Sequence, residues 1–167
     1  MASRRKTTPV NTDAQIHDID LSETRRKRFR VDGDNNRIIE LNTSDAGIVV
    51  RLNELYPKMR ELGDKLATKL SEQSETSDEK ELAKMAQTII ELDNELRDML
   101  DTLFDANVSE VCIPEGTTVD PFNGEFRFET LINKLGKLYE TNLTSEFAKM
   151  KRNVAKHTSK YTKSHKR

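Results

Sequence analysis

Four groups of residues have types and spacings that could do chemistry. Asp32, Asp34 and Asn36 alternate as the opening of a calcium loop does. The pattern then breaks, because the sixth position is Arg37 where such a loop needs glycine, and the twelfth is Thr43 where it needs glutamate. Cys112 is the single cysteine; set between Val111 and Ile113 with no histidine near it in sequence, it reads as a partly buried structural thiol. His17, His157 and His165 lie in the terminal arms, where no scaffold orients a general base. Acidic pairs such as Asp98 and Asp101 fall on a charged helix face and read as solvent-facing. There is no glycine-rich phosphate loop, paired-cysteine zinc pattern or nucleophile elbow. The expectation is a non-enzymatic chain with no catalytic, cofactor-binding or metal-binding residues.

Chemistry of this kind gives way to a question of surfaces, and composition frames it. The 167 residues suffice for one domain with a modest core. Hydrophobic and charged residues each make up 34%, and there is no tryptophan, so the core must come mainly from Leu, Ile, Val and Met on helices with wet outer faces. One cysteine excludes an intramolecular disulfide and fits a reducing compartment. No apolar run follows the basic start Met1–Lys6, and none approaches the ~18 residues of a membrane span. The chain is therefore expected to be soluble and cytoplasmic, with no membrane partner.

The net charge of −1 conceals a segregation. Residues 1–30 carry eight Lys/Arg against four acids, and residues 149–167 carry eight with no acid. The body between them, 31–148, holds twelve bases and twenty-five acids, a net of −13. Three regions follow: a flexible basic arm over 1–27, an acidic helical domain over 28–148 and a disordered basic tail over 149–167.

Within the body the periodicities are legible. Residues 28–31 and 37–41 alternate around a polar, glycine-containing turn and predict a β-hairpin; a further strand is possible at Ile16–Leu21. Ile48, Leu52, Leu55, Met59, Leu62, Leu66 and Leu70 predict an amphipathic helix over 45–72, kinked or broken near Pro57 and weakened at Gly63. Leu82, Met85, Ile89, Leu92, Leu96, Met99 and Leu103 predict a second over 77–104, its start marked by the capping-box spacing of Thr76 and Glu79. The two should pack antiparallel. Residues 108–116 read as a loop or brief edge strand, closed by Pro114 and Gly116. Asp120-Pro121 can open a third helix over 126–140, its start delayed by Asn123-Gly124. A weak fourth helix could run from Ser145 to Val154. The fold class is mainly α: a helical hairpin or bundle with a short N-terminal β-hairpin and disordered basic arms.

Phe122, Phe126 and Phe128 concentrate three of the six phenylalanines in seven residues. They read either as a core plug closing the end of the helical hairpin or as an exposed anchor for a partner. The partner-binding candidates are these three with Phe147, Met150, Lys151, Arg152 and Tyr161 of the basic tail. Three apolar stripes with few aromatics to cover them also predict a homo-oligomer.

The order of elements resembles the small tail assembly chaperones of tailed phages and prophages. The resemblance rests on a hairpin ending Arg37-Ile38-Ile39-Glu40-Leu41-Asn42 and a long charged helix, followed by a helix ending Leu100-Asp101-Thr102-Leu103-Phe104-Asp105. It covers about residues 28–142, with Asp105-Ala106-Asn107 where that group often has a glycine, and the basic C-terminal arm departs from the compact pattern. It implies a non-enzymatic virion assembly factor in the host cytoplasm, binding the tail tube or tape-measure protein. Two alternatives fit the charge layout. The basic arms could bind nucleic acid, with Tyr161 as a stacking surface, or a basic C-terminal segment could dock on acidic coat protein, as in capsid scaffolding.

Overall fold

The computed structural model describes residues 26–72 and 78–164, with side chains up to residue 152. The possible strand at Ile16–Leu21, the capping residue Thr76, and His17 and His165 lie outside the described residues, as do the side chains of Val154, His157 and Tyr161.

Strands β1 (Lys27–Arg30) and β2 (Ile38–Leu41) form the expected antiparallel hairpin, with Phe29 opposite Ile39. Ile39 and Leu41 are buried and Phe29 packs against them, while Arg28 and Glu40 pair on the outer face. The carboxylates of the calcium-like run shape the turn: Asp34 accepts from the Asn36 N–H at 2.8 Å, and Asp32, at φ 52°, pairs with Arg37 at 3.0 Å.

Helices α1 (Gly47–Glu72) and α2 (Glu79–Phe104) pack antiparallel, with Arg51 near the start of α1 donating to the Leu103 carbonyl near the end of α2. Met59, Leu66, Leu96, Leu100 and Leu103 are fully buried, as the stripes require. α1 runs unbroken through Pro57. The proline is exposed, and Leu55, Met59 and Leu62 on either side of it all join the core, which holds both halves in one helix. The cap of α2 is Asp78, which accepts from the Glu81 N–H. The helix ends where Asp105 takes the left-handed conformation, at φ 49°, that glycine usually supplies.

Three expectations are corrected downstream. Val108–Cys112 is a short helix, α3, not a loop or strand. Asp120-Pro121 does not start a helix: Pro121–Phe122 (β3) pairs with Glu125–Phe126 (β4) across Asn123 and Gly124. Those two residues have φ of 54° and 84°, the positive values of a tight primed turn. Finally, the expected third and fourth helices are one, α4 (Arg127–Ser164), so the basic segment that begins at Lys149 starts inside a helix. The polar stretch around residues 141–144 stays helical, and there Thr141, Asn142 and Thr144 each donate to the carbonyl four residues back instead of capping a helix end.

α4 supplies the third wall of the core. Phe128, Ile132, Leu135, Tyr139 and Leu143 are buried on its inner face. Tyr139 meets Phe104 with ring centroids 5.9 Å apart. Lys27 reaches Asn142 from β1, fixing the far end of the buried part.

Candidate protein-binding surface

The site begins with a row of charges that reads in sequence as the wet face of α2. Asp93, Arg97 and Asp101 are spaced by four and share one side of that helix. Arg97 pairs with Asp93 at 2.8 Å and donates to the carbonyls of Ser109, Ile113 and Gly116. Asp93 accepts from the Thr118 N–H at 2.6 Å. Asp101 accepts from both the N–H and the hydroxyl of Ser109. This corrects the reading of Asp101 as solvent-facing: the row pins the whole 108–118 segment to α2. From the other side Arg37 donates to the carbonyls of Val111 and Cys112, and Arg127 to that of Glu115. Irregular backbone is thus satisfied by arginines, and it presents a rigid lip to the start of α4.

Against that lip the phenylalanines divide. Phe128 is fully buried, and Phe126 stacks on it at 5.8 Å with its ring over Gly63 of α1, so these two form a plug. The plug is fastened by Glu129, which is buried, accepts from the Phe126 N–H and pairs with Arg60. Phe122 stays exposed, with the Lys134 ammonium 5.7 Å from its ring centroid. It stands on the rim of a groove of about 410 Å³ between the β1–β2 hairpin and α4. Phe29, Val31, Leu131 and Leu138 give the groove apolar walls, and Arg30, Arg127 and Lys134 outweigh Asp32 among the charges that line it.

Phe147 and Met150 lie further along α4, past Leu143, the last buried residue among the described ones. Both are exposed, as are Lys151 and Arg152 beside them. Tyr161 belongs to the helical backbone of α4. The candidates therefore fall in three places: Phe126 and Phe128 in the plug, Phe122 at the groove, and the rest on the projecting part of α4.

Titration follows from the packing. Cys112 also faces the groove, and burial pushes its thiol up to about 11 against the opposing pull of Arg37, so it stays protonated at neutral pH. Burial likewise pushes the Tyr139 phenol up to about 12. Asp45 is held below the ordinary carboxylate range by the hydrogen bond from Arg51, and Asp120 by that from Thr117. Among the described residues no group of three or more His, Cys, Asp or Glu could hold a metal ion. None of the described helices is long and apolar enough to cross a membrane.

Comparison with protein-family models, curated proteins and solved structures finds no match. The residues that build the lip, Arg37, Arg97 and Arg127, carry no sequence signal of their own. The spacing of Asp93, Arg97 and Asp101 could have drawn notice, since a row of alternating charge can dock a loop as well as face water.

Proposed function

We propose that this protein is a non-enzymatic assembly factor of the phage tail assembly chaperone type, acting in the host cytoplasm and holding a tail structural protein, tail tube or tape measure, before assembly. The observation that carries the reading is the groove at Phe122. It is preformed, walled by apolar side chains and lined by Arg30, Arg127 and Lys134 against the single acid Asp32, which suits an extended segment that offers apolar anchors flanked by acids. Rigid backbone on one side and a helix on the other mean that binding orders the partner more than the chaperone. Such affinity is modest and reversible, as release at assembly requires. Co-expression with the tail tube and tape-measure proteins from the same genome tests it. A complex that is lost in Phe122→Asp, with the variant still folded, is the expected result; absence of binding to both proteins removes the proposal.

A second reading, nucleic-acid binding, is favoured by one feature, the exposed cations Lys149, Lys151 and Arg152 on α4. It predicts retention on DNA or RNA that falls steeply with salt and is lost in the Lys149→Glu, Lys151→Glu, Arg152→Glu variant.

A further inference from the structure

The two ends of this molecule carry surfaces that fit each other but cannot meet within one chain. At one end is the projecting part of α4. Its buried row, Ile132, Leu135, Tyr139 and Leu143, continues at helical spacing into Phe147 and Met150, which are 50% and 53% exposed. After Leu143 the helix has 21 residues to Ser164, about 31 Å of rise.

At the other end is the distal half of the α1–α2 hairpin. On α1, Gly63 is covered by the Phe126 plug, while Ala67 and Leu70, four and seven residues on along the same face, are exposed. On α2, the side that docks the lip through Arg97 and Asp93 continues into Ile90, Ala86 and Leu82, all exposed, Leu82 at 56% and Ile90 at 53%. The proximal half of the hairpin has α4 as its third helix, and among the described residues the distal half has none. α4 cannot turn back to cover it: it starts level with Gly63 and runs toward Phe104, leaving by the opposite end.

Charge selects between the possible occupants. Residues 144–164 hold six Lys/Arg and one acid, whereas the distal face itself, 64–72 and 79–92, holds five acids and four bases within a body, 31–148, of net charge −13. Two projecting helices would repel each other, but a projecting helix laid across the distal face of another molecule meets no such repulsion and is drawn by that molecule's acidic body. We propose that the projecting part of α4 of one copy docks on the distal α1–α2 face of a second copy and completes there the three-helix arrangement that the proximal half already has. The two patches differ, so the contact is head to tail, and it propagates into an open chain unless its rotation closes a ring. This goes beyond the chaperone reading and uses surfaces separate from the Phe122 groove.

Sedimentation velocity of the full chain tests it, with circular dichroism as a check on folding. The wild type is expected to associate with rising concentration, less so at high salt. Phe147→Asp with Met150→Asp removes the donor, and Leu82→Asp with Ile90→Asp removes the acceptor; each should weaken association at least ~10-fold. All four positions are exposed, and Lys151→Glu with Arg152→Glu serves as a further donor variant that leaves the apolar residues intact. The deciding measurement is a mixture of the donor-dead and acceptor-dead proteins, which should form a discrete heterodimer because each supplies the patch the other lacks. A monomeric wild type, association unchanged in either variant, a mixture that stays monomeric, or association abolished by nuclease overturns the proposal.

Discussion

The Phe126 ring lies over Gly63 so closely that a Cβ at that position would stand 3.0 Å from its Cε2 atom. Mid-helix glycine costs ~0.5–1 kcal/mol relative to alanine, and here it leaves the space in which the plug seats. Gly63→Leu is expected to destabilise the fold by ~1–3 kcal/mol through overpacking. Urea unfolding of Gly63→Leu, Phe126→Ala and the double variant checks this: the double change should cost less than the sum of the singles.

Burial along α2 is graded, and substitution should follow it. Leu96→Ala and Leu100→Ala remove fully buried side chains from the three-helix part and should cost ~2–5 kcal/mol each. Leu82→Ala, at an exposed position, should stay within ~0.5 kcal/mol at monomer concentrations. Equal losses at Leu82 and Leu96 would contradict this picture of the hairpin.

Arg97 holds three carbonyls of the lip. Arg97→Ala is expected to cost ~1–3 kcal/mol by removing the donor shared by the Ile113 and Gly116 carbonyls and the partner of Asp93, which keeps only the Thr118 N–H. Hydrogen exchange in residues 109–118 should quicken well before global unfolding. Lysine at this position should not rescue it, because one ammonium cannot reproduce the guanidinium fork.

Stability should fall at both pH extremes, for opposite reasons. Asp45 and Asp120 have folded values below the ordinary one. They stabilise the fold fully above a pH of ~3.9, and this is lost as pH falls through their folded values. Cys112 is raised from 9.0 to about 11, so its contribution is complete below the unfolded value and disappears as pH rises from 9.0 toward 11. Urea midpoints across a pH series should show a plateau between these limbs. Asp120→Asn should shrink the acid slope and Cys112→Ser the alkaline one.

The helical hairpin and the β-hairpin were readable because each rests on local repetition: steps of three and four from Ile48 to Leu70 and from Leu82 to Leu103, and alternation around Gly33. Position 105 shows a limit, since an aspartate there adopts the backbone usually assigned to glycine. The 108–126 region was misread because its structure is imposed from a distance. α3 and the lip take their shape from Arg37, 74 residues from Val111, and from Arg97 and Asp101, whose contacts follow neither a helical nor a strand period. Asn123-Gly124 did carry a hairpin signal, but strands of two residues each are too short to alternate. Of the candidate site, the clustered phenylalanines were legible as a group. Which of them faced inward depended on Gly63, in a different helix.

Because the third wall of the core comes from residues 128–143, order of synthesis matters to this chain. N-terminal elements are made first, so the α1–α2 hairpin is complete while its partner is still missing. At ~5–20 residues per second, the interval from Phe104 to Leu143 lasts about 2–8 s. Throughout it Leu96, Leu100, Leu103 and Phe104 have no cover on the α4 side. A nascent chain stalled within that window presents its core to whatever is nearby, so the length of a translational pause there sets how much of the protein is captured by chaperones or lost to aggregation.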